Sequence, residues 1–245
     1  MASIPDPMFR QTTRDFCVNQ QFRKDYWVKG CRTLTALEQV EALRGQRILL
    51  AQPRADVGLK VTGSLGEATL QEAVYGPILD QLADHKPKTL GQLEQALKAT
   101  PSTQSLSFAQ ILQAAMVLSA TGAVQAVQDD AVVQKAKKRT DRLNVYLMTK
   151  ARSSNELSYL ASPVTGGGVT VPRFQQLFLL AKQQGHKHPQ DWANFVWNIL
   201  ALQNQRLVKD GKTLETVEEN LAELTAQASE FAEKQLPILK ALQIA

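Results

Sequence analysis

From Tyr75 to Gly122 the apolar residues recur every three or four positions, and the recurrence is cut at Lys86-Pro87 and again at Pro101. That period is the mark of an amphipathic helix, and a proline ends one because the residue before it is driven out of the helical region. Three helices are therefore expected. The first starts at Pro77. The second, LGQLEQAL, is capped by Thr89. The third starts at Ser107 and carries one apolar stripe through Leu106, Ile111, Leu112, Ala115 and Leu118 before Gly122 stops it. AVQAVQD, just after, has the look of a short strand.

Helix, helix, short turn, helix and strand is the order of a winged helix-turn-helix. An α+β lobe of no special type contains the same elements. Ahead of them, TTRDFCVNQQFRKDYWVKG spaces Phe16, Asn19, Phe22 or Arg23, and Tyr26 by threes and fours. This predicts one helix, capped by Thr12 or Thr13 and stopped at Gly30. ALEQVEALRG is helical material, whereas RILLAQP and GLKVTGSLGEATL are short, bounded by Gly or Pro, and read as strands.

A weaker echo follows. VPRFQQLFLLAKQQG and DWANFVWNILALQNQ are helical and RLVKDGKTLE is a hairpin, so two winged-helix-like lobes in tandem fit the 245 residues. The expected class is α+β, predominantly helical, with short β-hairpins, divided into 1–145 and 146–245. The closing run VEENLAELTAQASEFAEKQLPILKAL is a long helix that must break or kink at Pro237.

Composition narrows the function classes. Aromatics are only 6% of the chain, so Leu, Val and Ala must build the cores. No apolar run approaches the roughly 18 residues of a membrane span, and the N-terminus lacks the apolar centre of a signal peptide, which reads as cytoplasmic. Cys17 and Cys31 have no CxxC or CxxH neighbours, which argues against a disulfide scaffold or a zinc site. The net charge of +5 is modest; its densest cluster is Lys135, Lys137, Lys138, Arg139 and Arg142. Such a run is a solvated linker or helix face, or a patch that contacts phosphates.

Gly166-Gly167-Gly168 invites a cofactor reading that the flanking residues oppose. A phosphate loop needs Lys and Ser or Thr after its last glycine, but Val169, Thr170, Val171 and Pro172 stand there. A dinucleotide or S-adenosylmethionine (SAM) loop needs an acid about 20 residues on, at the end of a second strand, and none is in place. The three glycines read instead as a tight turn, with Pro172 at the first position of a helix. His186 and His188 lack a clear third ligand, and no GxSxG, HExxH or Cys-His pairing appears, so no catalytic, cofactor or metal residue is assigned. Asp129-Asp130 and Glu218-Glu219 read as solvated acids, and Trp192 with Phe195 as core.

RDFCVNQQFRKDYWVKG resembles the opening of the predicted methyltransferase regulatory domain family, through Asp15, Phe16, Asn19, Phe22 and Arg23. Gln20 departs from the Arg expected there. LASPVTGGGVTVPRFQQLFLLA and LVKDGKTLETVEENLAEL are similar to the C-terminal region of the same proteins. The resemblance implies a segment C-terminal to a Rossmann-type bacterial methyltransferase domain, some members being similar to protein-lysine methyltransferases. It implies SAM in an associated catalytic domain, in cis or in trans, and a protein substrate.

The expected function is thus a non-catalytic regulatory or substrate-recognition region. The alternative is a stand-alone winged-helix nucleic-acid binder. Its recognition helix would be SFAQILQAAMVLSATG, which has no Lys or Arg, so nucleic acid is the poorer partner.

Overall fold

The structure is a computed structural model that describes residues 3–23, 25, 28–63 and 66–245. The chain is α+β and predominantly helical, with small antiparallel sheets.

Helix α1 spans Pro7–Cys17 and α2 spans Ala36–Arg44. Strand β1 (Arg47–Leu50) follows, then a short 3₁₀ turn, and β2 (Lys60–Gly63) pairs with β3 (Gly66–Thr69). Helix α3 (Glu72–Leu82) leads to β4 (Lys88–Thr89), α4 (Leu90–Lys98), α5 (Phe108–Ala120) and β5 (Val124–Ala126). Pro77 lies inside α3 rather than at its start. Tyr75, Gly76, Ile78, Leu79 and Leu82 are all buried along this helix, so packing holds it together across the proline.

The sheet order is β4-β1-β5, with Ile48 opposite Lys88 and Leu49 opposite Gln125. The helix order expected of a winged helix is present, but β5 pairs with β1, which precedes all three helices. No hairpin wing follows β5; the chain passes directly into α6 (Asp130–Lys150). Helix α6 continues unbroken past residue 145.

The remainder comprises β6 (Tyr159–Ser162), β7 (Gly167–Thr170), α7 (Arg173–Gln183), α8 (Pro189–Leu202), β8 (Val208–Lys209), β9 (Lys212–Thr213) and α9 (Val217–Glu230). A π-helical turn at Phe231–Gln235 joins α9 to α10 (Leu236–Ala241). Pro237 offers no N–H to the carbonyl of Glu233, four residues back, which accounts for the irregular turn. The β8–β9 turn, Asp210-Gly211, has φ of 51° and 77°, the paired positive values of a type I′ hairpin.

Several ends are built locally. Thr35 with Glu38, Thr89 with Gln92, Ser107 with Gln110 and Thr216 with Glu219 form reciprocal capping boxes on α2, α4, α5 and α9. Pro172 sits at the N-cap of α7 rather than at its first helical position, which Arg173 takes. Of the three glycines only Gly166 has a positive φ, 73°. Gly167 and Gly168 are already strand residues of β7.

Two hydrophobic clusters form. One joins β1, α3, α4, α5 and β5 through Ile48, Leu50, Leu79, Leu93 and Ile111. The other joins α6 to α10 through Met148, Phe178, Trp192, Leu224 and Phe231, and it also takes Leu49. Strand side chains alternate faces, so β1 serves both cores at once. Arg47 reinforces the junction by pairing with Asp130 at 2.8 Å, and the Gln128 N–H donates to the Val164 carbonyl.

Candidate interaction surface

The N-terminal arm is exposed in a way that the rest of the chain is not. No described residue before Ile48 is fully buried. Helix α1 opens where Asp6 accepts from the Phe9 N–H at 2.8 Å with Pro7 at the first turn, not at Thr12 or Thr13. The hydroxyls of Thr12 and Thr13 donate back to the Met8 and Phe9 carbonyls instead.

The expected helix forms only as far as Cys17, because Asn19 ends it at φ 51°. The Asn19 N–H reaches the Phe16 carbonyl and the Gln20 N–H the Asp15 carbonyl, the two bonds of a Schellman cap. Asn tolerates the left-handed conformation better than most residues with a side chain, which is the physical content of that position. Past the cap, Arg23 donates to Asp15 at 2.6 Å and to Asp25 at 2.9 Å, tying the outgoing strand of chain to the helix. Its pKa is raised, chiefly by the hydrogen bond to Asp25.

Asp15, Asn19 and Arg23 thus make one folded-back turn, and it displays two phenyl rings. Phe16 is 84% exposed and Phe22 86%. Phe9, one heptad before Phe16 and so on the same side of α1, is exposed as well. Large exposed apolar rings concentrated on one short arm are the kind of surface that marks a binding face. Tyr26 lies outside the described residues. Cys17 and Cys31 are exposed free thiols.

The arm is fastened to the first core by α2. Arg44 bonds Glu94 at 2.8 Å and also pairs with Glu41, while its guanidinium lies 5.1 Å from the centre of the Phe108 ring. Glu94 is buried, and its carboxyl is held below its ordinary pKa first by Arg44 and then by Lys98.

The basic cluster of the sequence lies on α6. Lys135, Lys138, Arg139 and Arg142 are exposed, whereas Lys137 turns aside to pair with Asp141. The structure does not bring this cluster together with the N-terminal turn in any recorded contact.

Elsewhere several polar side chains hold local structure. His85 sits at φ 55° with Nδ1 2.9 Å from the Leu50 carbonyl. The His186 ring packs on Phe195, His188 precedes α8, and Trp192 is buried with its indole N–H donating to the His186 carbonyl. Among the described residues no group of three or more His, Cys, Asp or Glu is placed to hold a metal ion. The glycines at 166–168 belong to the β6–β7 hairpin, with Gly168 opposite Ala161. A SAM cradle needs a strand running through a glycine turn into a helix N-terminus, so these residues do not fit that cofactor.

Sequence reasoning missed a cleft beside the π-turn, where Asp56 from the first half meets Phe174, Phe231, Glu230 and Lys234. The signal was present in Pro237, but not the partner across the cleft.

Comparison with known proteins falls on the same arm. Residues 1–29 match the family described as predicted methyltransferase regulatory domain. The N-terminal turn lies within the matched residues. Across its whole length the chain is also 38% identical, over 244 residues, to an uncharacterized protein of Synechocystis sp.. The match covers 100% of this chain and 46% of that protein, so the chain spans about half the length of its relative. No solved structure matches the chain. No helix among the described residues is long and apolar enough to cross a membrane.

Proposed function

We propose that this chain is the non-catalytic regulatory or substrate-recognition region of a SAM-dependent protein methyltransferase acting in the cytoplasm. One observation carries the reading: the segment that matches the regulatory family has no fully buried side chain among its described residues and displays Phe16 and Phe22 on a self-closed turn. SAM and the methyl-transfer chemistry belong to an associated catalytic domain, in cis or in trans. The arm docks on that domain through the two rings. The helical lobes hold the acceptor protein in reach of the methyl donor. Such positioning raises a rate without contributing a reacting group.

The test is methylation of a protein acceptor by the catalytic domain, measured with the chain, without it, and with the double variant Phe16→Ala/Phe22→Ala. The chain should change the rate or the choice of acceptor, and the double variant should lose that effect. Equal rates and equal acceptor choice in all three would reject the proposal.

A further inference from the structure

Helix α6 carries a surface that none of the foregoing uses. Lys135, Arg139, Arg142, Tyr146 and Lys150 follow one another at steps of three or four residues, with Lys138 beside them. At 1.5 Å per residue they form one stripe about 22 Å long. All six are exposed. The opposite side of the helix, with Val133, Asn144 and Met148, is buried. Both acids of α6 lie off the stripe and are already paired, Asp130 with Arg47 and Asp141 with Lys137. Among the described residues, none of the stripe's five cations has a carboxylate within ion-pair distance, and Lys150 stands 5.5 Å over the Tyr146 ring.

The stripe ends in apolar surface. Leu143, Tyr146, Leu157 and Tyr159 are each about half exposed. Tyr146, Lys150, Ala151 and Leu157, with Ser154 and Glu156 at the side, line an open hollow of roughly 240 Å³ at the C-terminal end of the helix. Unpaired like charges along a rigid helix repel one another and are relieved by an oppositely charged partner. A large exposed ring beside an apolar hollow is the usual anchor point of a protein interface.

We infer that the outer face of α6 binds an acidic polypeptide segment, with carboxylates spaced along Lys135 to Arg142 and one large apolar side chain in the Tyr146–Leu157 hollow. Both halves of the surface decide the occupant. The cations alone would suit a nucleic-acid backbone, but Leu143 and Leu157 offer nothing to a phosphate, and Lys150 already lies over the Tyr146 ring where a base would stack. An acidic chain with an apolar anchor satisfies the whole surface. The inference does not depend on the methyltransferase reading, and its test involves no methylation.

The test is fluorescence anisotropy of the whole chain with a labelled synthetic helical peptide. The peptide carries Glu at every third or fourth position and one Phe near its end. Binding should weaken with added salt. It should fall at least about tenfold in Arg139→Glu/Arg142→Glu and several-fold in Tyr146→Ala. Lys187→Glu/Lys212→Glu changes net charge equally on exposed residues elsewhere and should leave binding within about twofold. All of these are surface positions, and circular dichroism verifies that each variant is folded. Equal losses in the two charge-reversed pairs, or no peptide binding at all, would overturn the inference. Tighter binding of a labelled single-stranded oligonucleotide of matched charge, lost on Arg139→Glu/Arg142→Glu, would overturn it in favour of a nucleic-acid surface.

Discussion

Leu49 and Leu50 are neighbours in β1, both wholly inaccessible to solvent, and they enter different cores. The four-residue strand is therefore the piece that couples the two halves of the chain. Its backbone pairs on both edges, with β4 and β5, while its side chains divide by parity.

Truncating either leucine should cost about 2–5 kcal/mol, the range for a buried Leu→Ala change. The two variants should nonetheless differ. Leu49→Ala opens space in the core that contains Trp192 and should shift tryptophan emission, whereas Leu50→Ala should leave that emission close to the parent's. Urea unfolding followed by fluorescence measures both quantities; identical emission changes would contradict the division of the strand.

Asn19 is expected to matter locally and hardly at all globally. Asn19→Gly keeps the left-handed cap, while Asn19→Ala should weaken the α1 terminus by about 1 kcal/mol. Because no described residue of the arm is fully buried, the global melting temperature should change little in either variant. Amide exchange at residues 15–23 should speed up in the alanine variant alone.

The glycine run is separable by substitution. Gly166 has φ 73°, and a Cβ there would meet the Gln128 side chain at 3.1–3.3 Å, so Gly166→Ala should destabilise by about 1–2 kcal/mol. A Cβ on Gly167 meets nothing within 4 Å and its φ is not positive, so Gly167→Ala should stay within about 0.5 kcal/mol. Thermal unfolding of the two variants compares them directly.

Acid should weaken the α2–α4 contact through Glu94. Its folded-state pKa lies below the ordinary 4.5 because Arg44 and Lys98 favour the carboxylate. A depressed carboxyl stabilises the fold above its unfolded pKa, and that contribution is lost as pH falls through the lower folded value. Glu94→Gln should cost about 1–2 kcal/mol at neutral pH. The variant should also lose less stability than the parent between pH 4.5 and more acidic conditions, as read by urea unfolding across that range.

Thr89, Ser107 and the RLVKDGKTLE hairpin announced their structures from sequence, because a cap or a hairpin turn is decided by contacts within about four residues. The helices of the second half were legible for the same kind of reason, their apolar period being long and regular. The N-terminal motif was legible as a set of residues but not as a shape. Spacings of three and four suggested a continuous helix through Phe22, yet an Asn in a left-handed cap and an Asp15–Arg23 pair fold the chain back. Pro77 looked like a helix start until burial on both sides held α3 around it.

The sequence alone determined where α2, α4, α5 and α9 begin, that RLVKDGKTLE forms a hairpin, and which residues are apolar enough to build a core. Tertiary structure decided that β1 rather than a following hairpin completes the first sheet, and that Leu49 and Leu50 serve separate cores. It also decided which side of α6 faces solvent. Caps and turns are short-range hydrogen-bond choices, whereas strand partners and helix orientation follow from burying surfaces contributed by residues far apart in the chain.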